Sequence, residues 1–345
     1  MGPYAIKRIA LIIPTIILVS IITFLFVHII PGNTVDAMTA DFFGVNQPGS
    51  TGVQTDNQAF ALAREQLEKR LGLDVSLPVQ YGRWVGILKT PDPITGEISY
   101  NGIFQGNFGV SIRRNTTFTE EFTARAPVTI ELNIIVMLIS YLISIPLGIY
   151  SALRQDTWLD YTARSLAIGA MAIPGFWLAT IIIVFGARYF NWSPPIEYVH
   201  FSVDPIANLK IMIIPALIMG VSNAGATVRN LRTITLEVMR QDYVRTAWAK
   251  GLTERIIVLR HAFKNAMVPF VDTIAGTIAV LIGGSVIMEN IFDLPGLGRY
   301  TYDMVIQREY SLVSGTTLIF GTFALVMILL TDLAYGFVDP RIHYK

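Results

Sequence analysis

Six stretches of the chain are apolar over a length that can cross a bilayer, which takes roughly 20 residues at a rise of about 1.5 Å each. They run near Ile9–Ile30, Val128–Leu153, Tyr161–Phe190, Ile211–Val228, Phe270–Ile291 and Leu312–Phe337. The third is longer than one crossing needs and carries Pro174-Gly175, which predicts a kink. The fourth is the shortest and has Pro215 in its first turns. The first run follows Lys7 and Arg8, as a signal peptide would. Its apolar stretch is too long for a typical signal core, however, and Pro31-Gly32 closes it without an A-x-A site. The pattern predicts a retained helix.

Two polar segments interrupt these runs. In the segment 31–127, residues 31–60 are rich in Gly, Asn, Thr and Gln and read as loop. Phe60–Leu71 has helical spacing, with Leu62, Leu67 and Leu71 set against Arg64, Glu65, Glu68, Lys69 and Arg70, and Gly72 placed to stop it. Val79–Leu88 predicts a second short helix after Pro78, and Thr90–Phe108 is dense in turn formers. The segment predicts a small cap rather than an independent enzymatic domain. The other interruption lies between spans four and five, at 229–268. Leu236, Met239, Tyr243 and Ala247 share one helical face, with Glu237, Arg240, Gln241 and Arg245 opposite. Gly251 stops that helix and Thr253 caps a second, whose stripe is Ile256, Leu259, Phe263 and Met267. Pro269 marks the start of span five. Pattern alone suits an amphipathic helix–Gly–helix either to a lipid surface or to a partner's groove.

Composition agrees with a membrane protein. Charged residues are 15% of the 345 and apolar ones 52%, against roughly 25% charged in a soluble domain. The net charge of +1 says little, whereas its distribution orients the chain. The segment 229–268 holds Arg229, Arg232, Arg240, Arg245, Lys250, Arg255, Arg260 and Lys264 against only Glu237, Asp242 and Glu254. It is expected to be cytoplasmic. The loop after span three holds Glu197 and Asp204 and no basic residue before Lys210, so it is expected outside. Arg154, Arg341 and Lys345 fall on the inner side. Both termini are then cytoplasmic and the segment 31–127 external.

Several chemistries find no support. There is no cysteine, hence no disulfide or thiolate site. No G-x-x-x-x-G-K-[ST] occurs, so no P-loop binds ATP here. His28, His200, His261 and His343 are scattered without metal-ligand spacing. No G-x-S-x-G occurs. The charges in or near spans, Glu131, Asp272, Glu289 and Asp332, read as helix capping or interhelix pairing. Spans three and four have none in their central parts, where an ion-coupled carrier would bury some. Gly220, Ala275-Gly276 and Gly283-Gly284-Ser285 predict close helix approach.

The run Tyr243-Val244-Arg245-Thr246-Ala247-Trp248-Ala249-Lys250-Gly251-Leu252 is followed by His261-Ala262-Phe263-Lys264-Asn265-Ala266-Met267-Val268-Pro269. Together they resemble the cytoplasmic docking loop of ABC-importer permeases, in the form of the dipeptide/oligopeptide/nickel branch. The general motif has E-A-A, three residues, then Gly. Here Arg245-Thr246-Ala247 and Gly251 stand at those positions, matching the branch's R-T-A-x-A-K-G-L and H-A-x-x-N-A-x-x-P. The likeness runs from end to end, through Ile30-Pro31-Gly32, Leu71-Gly72-Leu73-Asp74 with Gln80-Tyr81, and Gly106-Asn107-Phe108-Gly109-Val110-Ser111. It continues through Arg125-Ala126-Pro127-Val128-Thr129-Ile130-Glu131-Leu132, Glu289–Gly298 and Asp339-Pro340-Arg341. Asn107 replaces the usual Asp, Glu309-Tyr310-Ser311 stands where Asp-Tyr-Pro is usual, and 90–104 looks inserted.

The resemblance implies an all-α polytopic membrane protein with six transmembrane helices and an external cap between the first two. Residues 1–30 would be the first helix, 31–127 the cap, and 128–345 a five-helix permease core with its ATPase-docking loop at 229–268. The chain would be a permease subunit of an ATP-driven ABC importer, forming half of a pathway for peptides or similar small solutes by alternating access. It would not be an enzyme. Partners would be a second homologous permease, two ABC ATPases that bind ATP and Mg, an external solute-binding protein and membrane lipid, with no nucleic acid and no cofactor of its own. It would lie in a bacterial or archaeal cytoplasmic (inner) membrane. ATPase docking would fall to Tyr243, Arg245, Thr246, Ala247, Ala249, Lys250, Gly251, Leu252, His261 and Asn265. Docking of the binding protein and the outer gate would fall to Gly109, Ser111, Glu289, Pro295, Gly296 and Gly298. The alternative from another class is a secondary transporter or channel without ATPases; a membrane-embedded hydrolase is more distant.

Overall fold

A computed structural model describes residues 2–29, 35, 39, 57–71, 73–91, 97–111, 114, 116–195 and 197–338. The expected stops at Pro31-Gly32 and Gly72, most of the loop 31–60 and the run Asp339-Pro340-Arg341 lie outside them. The apolar runs form helices, which satisfy backbone polar groups internally where no water can. They are α1 (Gly2–Ile29), α4 (Phe118–Leu153), α5 (Trp158–Ala172) with α6 (Gly175–Phe190), α7 (Pro205–Met239), α10 (Lys264–Gly284) and α13 (Tyr310–Val338). Among the described residues four helices are long and apolar enough to span, within α1, α4, α7 and α13; the bent pair α5–α6 makes a fifth if it is one broken crossing. The remaining expected span coincides with α10, so six crossings is the expectation and four or five the number these residues establish.

Three elements differ from the expectation. The kink at Pro174 is a full break: the chain turns by 84° between α5 and α6. Ile173 is extended, as the residue before a proline tends to be, and Pro174 cannot donate to the ladder. The second span starts ten residues early, at Phe118 rather than Val128, with Pro127 inside α4. The fourth is not short. Asp204 caps α7 by accepting from the amides of Ile206 and Ala207, Pro205 fills the first position, and buried Pro215 does not end the 35-residue helix.

The chain divides into two compact units. One comprises Ala126–Arg299 with the described parts of Met1–Ala10 and Phe323–Lys345. Its core is Val128, Leu132 and Val136 of α4, one stripe at four-residue spacing, against Ala179 of α6 and Ile211, Met212, Ala216 and Ile218 of α7. Met288, Phe292 and Leu294 complete it. Gly220 allows α7 to approach α4, since a Cβ there would lie 2.8 Å from the Ile139 side chain. Gly276 and Gly283 have open space instead, so the close approach expected at them is not made within the described chain. Of the charges expected to cap or pair, Glu131, Glu289 and Asp332 have partners, and the Asp272 side chain lies outside the described residues. Arg8 meets Asp332 at 2.8 Å. In the loop before α7, the Tyr198 phenol donates to Glu131 at 3.1 Å, its pKa pushed up to about 12 by burial and by that carboxylate. Asp160, fully buried in the first turn of α5, accepts from Arg232 Nε at 2.8 Å and Nη2 at 2.7 Å, from Ser151 Oγ, and from the Asp156 amide at 3.1 Å.

The other unit comprises Leu11–Arg125 and Tyr300–Thr322. The two short helices appear as α2 (Asn57–Leu71) and α3 (Leu77–Val85), the latter ended by Gly86 in the left-handed region. α3 packs on α1 through Tyr81 and Trp84 against Phe24, with Ser20 Oγ 2.7 Å from the Tyr81 hydroxyl. The turn-rich stretch contains two small antiparallel pairs, β1 (Thr90–Pro91) with β2 (Ile98–Ser99) and β3 (Val110–Ser111) with β4 (Thr116–Thr117). Phe118, Tyr300, Met304 and Leu312 form the core, with Tyr300 on α12 (Leu297–Ile306).

Replacing Asp160 by Asn strands the Arg232 guanidinium in a mostly buried position. Removing one partner of a buried pair costs about 3–5 kcal/mol. The Asp160→Asn permease is expected to melt well below the wild type, and adding Arg232→Met to recover most of the loss. Equal melting of Asp160→Asn and wild type would show that the pair does not hold these helices.

Candidate partner-docking sites

α7 ends at Met239, and the backbone extends at Gln241 before α8 (Asp242–Ala249) begins with an acid in its first turn. At the end of α8 the Gly251 amide donates to the Trp248 carbonyl at 2.9 Å and the Leu252 amide to that of Ala247 at 3.4 Å. This closure needs a left-handed residue, and Gly251 supplies it with φ +74°. Nothing lies within 4 Å of a Cβ built there, so backbone conformation alone demands the glycine. Thr253 takes the extended cap conformation without a side-chain capping bond. One turn, α9 (Glu254–Ile256), then passes into a π-helical segment, Ile257–Phe263, before α10. Arg154 at the end of α4 pairs with Glu254 at 3.1 Å.

The faces differ from those a uniform helical period gives. The inward cluster is Val244, Ala247 and Ile257, with Met239 and Leu252 against it; Tyr243 is exposed. The extended backbone at Gln241 resets the helical phase between Met239 and α8. In the second half the buried positions are Ile257, Val258, Ala262 and Ala266, not the expected stripe. The π turn moves the repeat from i+4 to i+5, so Ile257 and Ala262 share the inner face. Tyr243, Trp248, Ile256 and Leu259 are left exposed, at 42, 46, 42 and 57%. Arg245, Thr246, Ala249, Lys250 and Gly251 are exposed around them. Ala247 points inward and Leu252 is half-buried, so these two shape the loop. Half-buried His261 accepts at its carbonyl from the exposed Asn265 amide at 2.6 Å.

The second expected set divides between the two units. In the first, Glu289 on α11 (Val286–Ile291) is fully buried. Its carboxylate accepts from Thr129 Oγ1 at 2.8 Å and from the Arg299 amide at 2.9 Å, while Thr129 Oγ1 accepts from the Leu297 amide at 2.8 Å. A Cβ on Gly296 would collide with this carboxylate, and one on Gly298 would lie 2.7 Å from Val286 Cα. Both glycines are buried; Pro295 is half-exposed. In the second unit Ser111, fully buried, donates to Glu309 Oε1 at 2.8 Å and accepts from the Arg114 amide at 3.1 Å. Gly109 has φ +123° and lies under Ser311. Asn107 uses its whole amide, its oxygen accepting from the Gly109 amide and its nitrogen donating to Asn101. Glu289 and Ser111 are thus buried and anchor loops of their own subunit. Their own partners Thr129 and Glu309 were not singled out as site residues, although both lie in the family-like runs.

The family model of binding-protein-dependent transport system inner membrane components matches residues 144–344, more than half of the chain. The chain belongs to this family. It is a multi-pass inner-membrane permease subunit of an ABC importer and not an enzyme. The permease is 31% identical to the dipeptide transport system permease protein DppB of Escherichia coli K12, with 99% of each chain covered. It is equally similar, 31% with 99% of each covered, to DppB of Alkalihalophilus pseudofirmus. A solved structure of inward-facing conformations of the MetNI methionine ABC transporter matches with a TM-score of 0.51 at 16% identity, covering 67% of the permease and 100% of that chain. At that identity the agreement is one of fold.

Two substitutions test the local geometry. A β-branched residue at Gly251 meets the left-handed penalty of about 1–2 kcal/mol or more, whereas Asn tolerates that region. Gly251→Val is expected to cut substrate-stimulated ATPase activity of the assembled importer severalfold and Gly251→Asn to retain most of it; equal activities would sink the assignment. Glu289→Ala removes the acceptor of a buried hydroxyl and a half-buried amide, a loss of about 1–3 kcal/mol for each buried group left unpaired. The loop 293–299 is expected to become protease-sensitive in this variant, and unchanged digestion would count against the anchor.

Proposed function

We propose that the permease forms half of the translocation pathway for peptides or similar small solutes, opened alternately to each side by two ABC ATPases gripping the loop 229–268. The observation that carries this is the exposure of Tyr243, Trp248, Ile256 and Leu259 beside Arg245 and Lys250 on a short helix–Gly–helix. These four apolar side chains surround basic groups on an element fixed from below by Val244, Ala247 and Ile257. That arrangement suits insertion into a partner's groove. The names of the DppB relatives support peptides as the solute class.

The remaining parts follow the charge pattern and the motifs. The basic loop and both termini face the cytoplasm, and the segment 31–127 lies outside as a cap on a five-helix core at 128–345. ATP and Mg are bound by the ATPases. A second homologous permease completes the cavity, and an external solute-binding protein docks on the cap and on the loop that Glu289 anchors. The central parts of the spans are aliphatic, so solute choice belongs mainly to the binding protein. The experiment is co-purification of the tagged permease with ATPase subunits, repeated with Trp248→Asp and Leu259→Asp. The pair of acids is expected to release the ATPases while the permease stays in the membrane; a permease that never binds an ATPase would return the reading to a secondary transporter. In this cysteine-free chain, Ser202→Cys is expected to label from outside and Thr253→Cys only from inside.

A further inference from the structure

The helices α5 and α7 run antiparallel. Asp160 meets Arg232 near one end of α5, and seven residues further on Ala167 faces Gly225, seven residues back along α7. A Cβ on Gly225 would lie 2.5 Å from the Ala167 carbonyl, so the backbones nearly touch there. Below this contact the helices leave a groove of about 210 Å3. At roughly 30 Å3 per water that is room for about seven waters, enough for a phosphate and the first atoms esterified to it.

The lining has a direction. Toward the Pro174 break at the far end of α5 stand Ala167, Ile168 and Met171, with Gly225 and Val228 of α7 opposite; toward the end that bears the loop 229–268 stand Arg164, Arg229 and Arg232 with Thr233. Arg232 is neutralised by Asp160. Arg164 and Arg229 are exposed, and among the described residues neither has a carboxylate partner; Arg164 lies over the Tyr161 ring at 5.7 Å. Exposed Trp158 and Tyr161 sit on the first turn of α5, at the same end. Trp and Tyr at the end of a span mark the headgroup level. Two unpaired guanidiniums at that level, opening into an apolar groove that runs toward mid-membrane, match one ligand chemistry. That chemistry is an anionic phosphodiester with hydrocarbon attached, and Arg matches phosphate oxygens through paired donors.

We propose that Arg164 and Arg229 hold the phosphodiester headgroup of an anionic glycerophospholipid, with its glycerol and upper acyl carbons against Ile168, Met171 and Val228. The leaflet, cytoplasmic, rests on the orientation proposed above; the site itself does not. A lipid seated here bridges α5 to α7 close to where α7 leads into the docking loop.

The test is native mass spectrometry of the permease, together with whatever subunits co-purify with it, released from phosphatidylcholine bilayers containing phosphatidylglycerol. The wild type is expected to retain phosphatidylglycerol, and Arg164→Gln with Arg229→Gln to weaken retention about 10- to 30-fold, from about fivefold per arginine. Phosphatidylcholine retention stays unchanged. Both arginines are exposed and without carboxylate partners, so the variant keeps its fold and Arg232 keeps Asp160. Equal phosphatidylglycerol retention in the two proteins overturns the proposal. Displacement of the lipid by millimolar inorganic phosphate also overturns it, in favour of a free anion. A maleimide at Ile168→Cys gives an independent arm. Labelling is expected to slow severalfold in phosphatidylglycerol vesicles relative to phosphatidylcholine, only while both arginines are present. A cysteine unreactive in both vesicles means that another subunit covers the groove, and the proposal fails. None of these readouts depends on sidedness or on ATPase binding, so they can fail while the functional reading stands, and the reverse.

Discussion

Asp160 is the point on which this end of the permease turns. A carboxylate without solvent survives only if its lone pairs are met, and here a bidentate guanidinium, a hydroxyl and a backbone amide meet them. Those donors come to the start of α5 from three other places in the chain: the last turn of α4, the turn after it, and α7 two turns before its end. Such a pair adds little net stability over well-packed apolar groups, but leaving either partner unmet is costly, so the arrangement that meets all of these donors is favoured. The position from which the chain leaves α7 toward α8 is therefore fixed by electrostatics rather than by packing alone. The tight contact of Gly225 with the Ala167 carbonyl sets the same two helices from the other side of the groove.

Both units repeat this solution on a smaller scale. Glu289 with Thr129, and Glu309 with Ser111, are each a buried acid bonded to a hydroxyl from a distant part of the sequence. In each case the hydroxyl also accepts a loop amide, from Leu297 or from Arg114. Loops at a membrane surface have few apolar contacts to hold them, and charge-assisted bonds in a dry setting are stronger than neutral ones. The glycines at 296 and 298 are then required because the anchored loop lies directly on its anchor.

Much of this was legible in the residues. Span positions followed from apolar length, the helix–Gly–helix of 229–268 from its pattern and from Gly251, and the family from motifs in both halves of the chain. What the sequence hid is of one kind: places where tertiary contacts override a local rule. Pro215 and Pro127 lie inside helices that a propensity argument would end, because α7 packs through Ile211, Met212, Ala216 and Ile218 around Pro215, and α4 packs through Phe118 before Pro127 and Val128 and Leu132 after it. Pro174, by contrast, does break its helix, and the extended backbone of Ile173 is the difference. The role of Glu289 as a buried loop anchor required knowing that Thr129 returns to it from 160 residues away.

The loop 229–268 shows what a wrong period hides. At 3.6 residues per turn, Ile256, Leu259, Phe263 and Met267 would form one stripe and be spent on the core. The π segment adds a residue to the turn, so Ile257 and Ala262 take the inner face and Ile256 and Leu259 are turned outward. Upstream, the extended residue at Gln241 does the same for Tyr243, giving its place in the core to Val244. Two local departures from regular helix thus convert a segment that sequence periodicity assigns to the interior into a rigid element with apolar side chains facing out. A regular amphipathic helix could offer a partner only its polar face once its apolar face was buried. These irregularities let the same loop hold on to its own subunit and still leave Tyr243, Trp248, Ile256 and Leu259 exposed.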